Sequence, residues 1–373
     1  MLIHQVELRE LRIRLVHPFE TSFGVTRERR IVIVKVQARS SHGDYVGYGE
    51  VTAGEGPWYS HETYQTAWHI LSDFVIPRIV GKEIPAASDF GTFVRGIRGH
   101  RMAQAGVETA LWDLEASIEN QPLWKLLGGT RTSIDCGVSI GIQPTIDALL
   151  AKIKTEIDSG YRRIKIKIKP GWDLQVIQEV RAAFPKILLM ADANSAYSLA
   201  DADLFQKLDP YNLMMIEQPL HDEDMIDHAQ LQQRIQTPIC LDESIHSADD
   251  ARKAIQIGAC RIINIKLGRV GGHRAAKAVH DVCRDGGVPV WCGGMLESGI
   301  GRAHNIAMSG LDNFSLPGDV TASGRYWEHD IIDPEVVVDS DGRITQSAKP
   351  GIGYRVNEDR MSEFTVRSQV FTA

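Results

Sequence analysis

Five ionisable residues recur along the middle of the chain at an almost constant interval. They are Lys167, Asp192, Glu217, Asp242 and Lys266, and the intervals between them are 25, 25, 25 and 24 residues. Each of them closes, or nearly closes, a short apolar run. One strand with its crossover helix and loops occupies about that much chain. A charged residue at the end of each strand would place all five on one rim of a (β/α)8 barrel, where the active sites of such barrels lie.

The repeat also predicts the fold class. Eight apolar runs between residues 134 and 319 end in polar residues or glycine, and helical segments separate them. Continuous apolar strands are typical of a buried parallel sheet. We therefore expect an α/β fold with a TIM-type (β/α)8-like barrel, of the (β/α)7β form. A doubly wound open sheet is the rival fold, but it would not place a charge on the same rim after five successive strands.

The 373 residues favour two packed domains. Residues 1–127 combine strand-like alternation with helical periodicity and predict an α+β capping domain. The turn residues at 40–44 (SSHGD) predict a hairpin within it. Residues 128–330 are the predicted barrel, and residues 331–373 are expected to return to the cap.

Composition excludes several classes of partner. The net charge is −7 and there is no basic run, which argues against nucleic acid. No apolar stretch approaches the length of a membrane span, and the amino terminus lacks the apolar region of a signal peptide. The five cysteines are scattered, odd in number and without CxxC spacing, which indicates reduced thiols in a cytoplasm. The expected partner is a small-molecule carboxylate.

Three of the five recurring residues are acids that could bind a metal. Asp192, Glu217 and Asp242 would supply carboxylates from neighbouring strands, and hard oxygen ligands favour Mg²⁺, with Mn²⁺ or another divalent cation as a substitute. Three anions brought together without a cation would repel one another strongly. Any single acid could instead cap a helix or pair with a lysine, but the common interval disfavours this for all three. Glu243 competes for the third place, and the interval selects Asp242.

The lysines flank these acids. Lys165 and Lys167 alternate in the run RRIKIKI and should both point into the barrel. A buried pair of like charges is expected to lower the pKa of at least one member, which would make it a base near neutral pH. Lys266 should lie across the barrel mouth from Lys167. A carbon next to a metal-bound carboxylate would then have one amine on each face, which suits removing and returning a proton through an enediolate.

Several motifs together resemble a known family. The KxK of RIKIKI, the segments DAN, EQP and LDES, and the longer segments NIKLGRVGG and WCGGMLESG are similar to the muconate-lactonising subgroup of the enolase superfamily. Within it, the likeness is to the N-acylamino acid racemase / o-succinylbenzoate synthase family. A Lys or His base with Mg²⁺ is the general scheme of that superfamily. The resemblance implies that Lys167 and Lys266 are the acid/base pair, and that Asp192, Glu217 and Asp242 are the metal ligands.

The resemblance also implies a substrate pocket between cap and barrel. Lys165 would be an electrostatic neighbour of the bases, and Asn194 would support the metal ligands. Two cap loops would contribute, one mobile with Phe23 and Gly24, the other with Trp58 and Tyr59. The full set of implied substrate-binding residues is Ser22, Phe23, Gly24, Tyr59, Ser139, Asn194, Arg269, Gly294, Met295, Leu296, Glu297 and Tyr326. Arg269 corresponds to an arginine typical of members that racemise N-succinylamino acids.

The expected function is Mg²⁺-dependent racemisation of N-acyl, especially N-succinyl, amino acids by 1,1-proton transfer. The same site could perform the syn-dehydration that forms o-succinylbenzoate on the menaquinone route. A dipeptide epimerase or a muconate cycloisomerase of the same superfamily is the alternative. A metal-free Schiff-base lyase and a non-catalytic scaffold rank lower. A homo-oligomer is expected on general grounds only.

Overall fold

The computed structural model describes residues 1–41 and 43–373. The amino-terminal part begins with three antiparallel strands, β1 (Leu2–Thr21), β2 (Gly24–Ser40) and β3 (Gly43–Val51). Strand β2 pairs with β3 up to Ser40 opposite Gly43, which confirms the predicted hairpin. His42 lies outside the described residues. Strands β1 and β2 form a second, longer hairpin in which Thr21 pairs with Gly24.

Helices cover one face of this sheet. They are α1 (Tyr64–Ile70), α2 (Phe90–Phe93), α3 (Arg101–Ile118) and α4 (Leu123–Leu126), with short π or 3-10 turns at Leu71–Val75, Ile76–Arg78 and Ala87–Asp89. The central helix α3 lies directly against β3. A Cβ atom at Gly49 would lie 2.1 Å from the carbonyl oxygen of Gly106. Only glycine allows the strand and the helix to approach this closely.

The second part of the chain alternates strands and helices. Its strands are β4 (Ser133–Asp135), β5 (Gly137–Ile140), β6 (Arg163–Lys167), β7 (Leu188–Asp192), β8 (Ile216–Glu217), β9 (Ile239–Leu241), β10 (Ile262–Ile265) and β11 (Val290–Cys292). Its helices are α5 (Ile146–Asp158), α6 (Leu174–Ala183), α7 (Ala202–Leu208), α8 (Met225–Arg234), α9 (Ala248–Ile257), α10 (Leu267–Val270), α11 (His273–Asp285) and α12 (Gly299–Met308), with 3-10 turns at Leu199–Asp201, Asp209–Tyr211 and Ser323–Arg325. Strands β5 to β11 form one parallel sheet in sequence order.

The eighth apolar run, residues 313–319, closes this sheet without forming a regular strand. Asp319 N donates to Cys292 O on β11 at 2.8 Å, and Gly137 N on β5 donates to Gly318 O at 2.7 Å. The segment thus joins the last strand to the first. Seven βα units and one closing segment make the TIM-like barrel that the sequence predicts.

The tail returns to both earlier parts of the chain. It contains β12 (Ile332–Asp333), β13 (Arg343–Thr345), β14 (Arg355–Val356), α13 (Glu358–Phe364) and β15 (Thr365–Thr372). Strand β15 pairs with β1, so the cap sheet has the order β15-β1-β2-β3, and β13 pairs with β4. The exact domain boundaries at 127/128 and 330/331 stay predictions. Within residues 1–41 and 43–373, no helix has the length and apolarity needed to cross a membrane.

Two buried glutamates of the cap bind the amino-terminal ends of barrel helices. Glu50, on β3, accepts hydrogen bonds from Ser298 and Gly301 at the start of α12. Glu108, on α3, accepts from the backbone of His273 and Arg274 at the start of α11. The oxygens of each carboxyl group accept from N–H groups that have no partner within their own helix. These contacts fix the cap over the barrel mouth.

Candidate active site

The ends of adjacent strands bring the predicted acids together. Asp192 is the last residue of β7, Glu217 is the last of β8, and Asp242 directly follows β9. Asp192 and Glu217 are register partners, and Lys167 on β6 is the register partner of Asp192. Each of the three acids is at most 1% exposed. The constant interval in the sequence therefore corresponds to a row of side chains at one rim of the barrel.

The order of the strands places two lysines on opposite sides of this rim. Lys167 ends β6 and Lys266 follows β10. Strands β7, β8 and β9 separate them on one side. Strand β11, the closing segment and β5 separate them on the other. In a closed barrel of eight positions these two positions are opposite each other, and the acids lie on the arc between them.

Each of the two lysines is attached to one end of that arc. Lys167 Nζ donates to Asp192 Oδ2 at 2.5 Å and to Asn194 Oδ1 at 2.7 Å. Lys266 Nζ donates to Asp242 Oδ2 at 2.8 Å and lies 4.3 Å from the centre of the Tyr59 ring. Asn194 also donates to Glu243 at 2.9 Å. The two amines are therefore held in place by the acids that they flank.

Lys165 lies deeper than Lys167 and contacts three carboxylates. Its Nζ is 2.8 Å from Asp319 Oδ2, 2.9 Å from Glu217 Oε2 and 3.3 Å from Asp192 Oδ2. Burial by itself lowers the pKa of this amine, but the three surrounding carboxylates raise it above its ordinary value. Lys165 is therefore not the member of the pair whose pKa like-charge repulsion lowers. It remains a fixed cation among the acids.

The other charged groups of the arc also compensate one another. Burial raises the pKa of Asp192, but the charges of Lys167 and Lys165 lower it below the ordinary range. For Glu217, burial raises the pKa and the neighbouring charge of Asp192 raises it further. Burial lowers the pKa of Lys266, yet the groups around it, Tyr59 first, raise it overall. Removing Asp192 would leave the buried amine of Lys167 without an ion pair.

The donor atoms of the arc suit a hard divalent cation. The carboxylates of Asp192 and Glu217 both contact Lys165 Nζ, at 3.3 and 2.9 Å, and a cation between two such groups is stabilising. The Oε2 atom of buried Glu243 has no hydrogen-bond partner in the described part of the chain. In that same part, no set of three or more His, Cys, Asp or Glu side chains is already arranged around a metal position. The carboxylates of Glu217 and Asp242 form ion pairs with lysine side chains instead. The carboxylate oxygens are therefore suitable ligands for a hard divalent cation, but in this structure they face the amines of lysines.

A cavity of about 450 Å³ opens above this arc, between barrel and cap. Lys167, Lys266 and Asn194 lie at its inner end, and cap residues from two segments, 19–29 without 20 and 22 and 54–59 without 57, form its outer wall. Seven of the predicted substrate-binding residues line it, namely Phe23, Gly24, Tyr59, Asn194, Gly294, Met295 and Leu296. Trp58 also lines it and is 71% exposed. A small carboxylate in this cavity would have access to both amines.

Three other predicted pocket residues lie behind the wall of the cavity. Arg269 is buried against Asp242 and also donates to Tyr59 Oη at 3.1 Å. Ser139 Oγ donates to Asp319 at 2.7 Å. Glu297 accepts from Met295 N at 2.9 Å, which fixes the loop after β11. Their hydrogen bonds are made to protein groups, so the structure shows them supporting the wall, and direct substrate contact by them stays a prediction.

Two further predicted residues do not line the cavity. Ser22 lies at the tip of the hairpin between β1 and β2, beside the cavity residue Phe23. The Tyr326 ring lies 5.3 Å from the guanidinium of Arg302 and 5.4 Å from that of Arg325. Substrate contact by Ser22 and Tyr326 also stays a prediction.

Asp319 is a residue of the site that the sequence reasoning missed. It ends the closing segment, and its carboxylate lies 2.7 Å from Arg163 and 2.8 Å from Lys165. Arg163 is fully buried inside the barrel and Asp319 is 9% exposed. The signal that could have found it is the segment LPGD, an eighth apolar run that ends in an acid, as three of the others do. It was missed because it lies outside the regular interval.

Comparison with known protein families agrees with this geometry. Residues 4–128 match the family model described as mandelate racemase / muconate lactonizing enzyme, N-terminal domain, and residues 148–360 match the one described as enolase C-terminal domain-like. The chain belongs to the enolase superfamily. The resemblance inferred from the sequence motifs is thus confirmed, and the two matches together cover most of this superfamily member.

Individual relatives are similar over their whole length. An o-succinylbenzoate synthase from Geobacillus kaustophilus is 53% identical over 99% of this chain and 97% of its own. An N-succinylamino acid racemase from Thermus thermophilus is 42% identical, with all of both chains covered. A crystal structure of an enolase superfamily member from Listeria innocua has a TM-score of 0.95 at 39% identity, covering 100% of this chain and 99% of the other. The chain is therefore an enzyme of this superfamily with the TIM-like fold and cap.

Proposed function

We propose that this enzyme transfers the proton alpha to the carboxylate of N-acyl, especially N-succinyl, amino acids, and so racemises them. We propose that it also dehydrates the cyclohexadiene precursor of o-succinylbenzoate. The observation that carries both proposals is the position of Lys167 and Lys266 on opposite sides of the barrel mouth, both lining one cavity. The names of the relatives from Geobacillus kaustophilus and Thermus thermophilus support the substrate class.

Racemisation needs a proton donor and acceptor on each face of one carbon. With the substrate carboxylate at the acids and the alpha carbon between the amines, one lysine removes the proton and the other returns one to the opposite face. The two lysines exchange roles for the opposite enantiomer. Lys165, which keeps its charge, adds a fixed positive field beneath the carboxylate as negative charge develops.

Asp192, Glu217 and Asp242 are the residues that we propose to hold Mg²⁺, with Mn²⁺ or another divalent cation as a substitute. The negative charge that develops on the substrate carboxylate would be stabilised by the bound cation. Asn194 would orient the site, since it bonds both Lys167 and Glu243. The ion pairs of the acids would have to rearrange when a cation binds.

Dehydration begins with the same step. A base removes the proton alpha to the carboxylate, and a hydroxyl group then leaves from the same face. Lys167 alone could act as base and then as acid, so this reaction needs only one of the two amines. A metal-free Schiff-base mechanism is disfavoured because it would use neither the second amine nor the three acids of the arc.

The test is a substrate panel monitored by ¹H NMR in D₂O, with Mg²⁺ and with EDTA. N-succinylamino acids, the dehydration substrate, dipeptides and muconate are compared. We expect the alpha hydrogen of both enantiomers of N-succinylamino acids to exchange only with the cation present. Turnover of dipeptides or muconate without any activity on N-acyl substrates would overturn the proposal in favour of a related activity.

The setting of the enzyme is also a proposal. All five cysteines are buried and free, as the sequence predicts, and this supports a reducing cytoplasm. The substrate would be a small carboxylate without nucleic acid or membrane partners. A homo-oligomer stays a general expectation, which sedimentation of the purified protein would test.

A further inference from the structure

The charged side chains that line the cavity have unequal surroundings. Its cations are Arg27, Arg29, Lys167 and Lys266. Lys167 is paired with Asp192 and Lys266 with Asp242. Both amines are therefore engaged at the inner end, where the chemistry takes place.

Arg29 is engaged as well, at the outer wall. It is 4% exposed, and its guanidinium lies 3.1 Å from Glu55 and donates to Thr52 O at 3.1 Å. These contacts tie β2 to the loop after β3. Glu28, the other acid of the outer wall, forms an ion pair with Arg12, in which Arg12 Nε lies 2.8 Å from Glu28 Oε1. The acids of the outer wall are thus neutralised by Arg29 and Arg12.

Arg27 has no such partner. It is exposed at the cavity, and it makes no ion pair or side-chain hydrogen bond within residues 1–41 and 43–373. It is the unpaired cation of a cavity whose other cations are all paired. The residues around it at the mouth, Phe23, Val25 and Trp58, are apolar and at least 42% exposed. The outer end therefore combines apolar surface with one available positive charge.

We propose that Arg27 binds the distal carboxylate of the substrate's acyl group, so that the cap selects acyl chains that end in an anion. This inference rests on the proposed function, because it assumes that the alpha carboxylate lies at the inner end near the lysines. A succinyl group then extends outward along the apolar side chains, and its terminal carboxylate meets a guanidinium that can bind it with two hydrogen bonds. An N-acetyl group has no charge to offer at that position.

The experiment compares N-succinyl-phenylalanine with N-acetyl-phenylalanine on the Mg²⁺-loaded full-length enzyme. The variants are Arg27→Met, Arg27→Lys and the control Arg14→Met, an exposed arginine on the neighbouring strand that does not line the cavity. We expect Arg27→Met to raise KM for the succinyl substrate by about fivefold to tenfold, with little change in kcat and none in KM for the acetyl substrate. Arg27→Lys should recover part of the loss, and Arg14→Met should match the wild type.

Salt and direct binding give independent measurements. In the wild type, added NaCl should raise KM for the succinyl substrate more than for the acetyl one, and Arg27→Met should remove this difference. Equal effects of Arg27→Met on both substrates, or no effect on either, would overturn the role of Arg27. Calorimetric binding of N-succinyl-phenylalanine that depends on Arg27 would support this role even if no racemisation occurs, in which case only the proposed function fails. Absence of both turnover and binding in the wild type would overturn both proposals.

Discussion

Ser298 Oγ donates a 2.5 Å hydrogen bond to Glu50 Oε2, and this contact joins the start of barrel helix α12 to strand β3 of the cap. The neighbouring helix α11 is bound in the same way by Glu108, whose Oε2 accepts from His273 N at 2.7 Å. The loop that carries Trp58 and Tyr59 begins just after Glu50. The position of the cavity wall is therefore set by polar contacts between the domains as well as by apolar packing.

Substituting Glu50→Gln should change how stability depends on pH. Burial raises the pKa of Glu50 to about 8 from 4.5, so between these values the folded protein holds a proton that the unfolded chain releases. Stability contributed by this group falls as pH rises through that interval. The free energy of unfolding of the wild type, measured with urea, should fall relative to the variant by up to about 4 kcal/mol between pH 5 and pH 8. A difference that stays constant or grows would contradict this, and Glu223→Gln, at an exposed site, is the control.

Lys167→Ala and Lys266→Ala should each lower racemisation by about a hundredfold or more, because general acid–base catalysis is worth that much. Each variant keeps one amine, so each should still exchange the alpha hydrogen of one enantiomer in D₂O, and the two variants should differ in which enantiomer that is. ¹H NMR of each pure enantiomer measures this. Loss of the same enantiomer in both variants would show that the amines do not act on opposite faces. Lys154→Ala, at an exposed helical site, is the control.

Asp242→Asn should abolish the stabilisation of the protein by Mg²⁺, whereas Glu243→Gln should retain it. A ligand that binds only the folded state raises the unfolding temperature, and a tighter ligand raises it more, so the shift on adding Mg²⁺ reports binding without any assay of activity. The baseline stability of Asp242→Asn will differ, since Asp242 also pairs with Lys266 and Arg269. The readout is therefore the shift within each variant. The opposite result would make Glu243 the third ligand.

Asp319→Leu should destabilise the barrel by about 3–5 kcal/mol, because it leaves Arg163 buried without a counter-ion and removes one of the three carboxylates around Lys165. Ser139→Ala removes only one hydrogen bond to the same carboxylate and should cost about 1 kcal/mol. Denaturant unfolding of both variants measures the difference. Equal and small losses would show that other acids compensate the two cations.

The sequence predicted the barrel well because a strand end has a fixed place in a parallel sheet. If Asp192 and Glu217 end adjacent parallel strands, backbone pairing alone places the two residues side by side. Closure of the sheet was harder to foresee. The eighth run suggested a strand, yet residues 313–319 close the barrel through a few backbone hydrogen bonds and without regular pairing.

The spacing of residues along the sequence did not predict which groups the long side chains contact. Arg269 was expected in the pocket, but its flexible side chain folds back onto buried Asp242. Lys165 and Lys167 were correctly expected to point the same way. Burial lowers the pKa of Lys165, however, and the carboxylate that raises it most, Asp319, comes much later in the chain. Such pairings depend on which opposite charges the fold brings together, and spacing along the chain does not specify them.

The inner and outer ends of the cavity come from different parts of the chain, with amines and acids on barrel strands and apolar and cationic side chains on the β1–β2 hairpin and the loop after β3. If the cap selects the acyl group as we propose, changes at residues 19–29 and 54–59 would alter that selection and leave the proton-transfer residues intact. A chimaera with a cap from another family member would need carboxyl groups equivalent to Glu50 and Glu108. Without them, the transferred cap would be bound less firmly to the barrel helices α11 and α12.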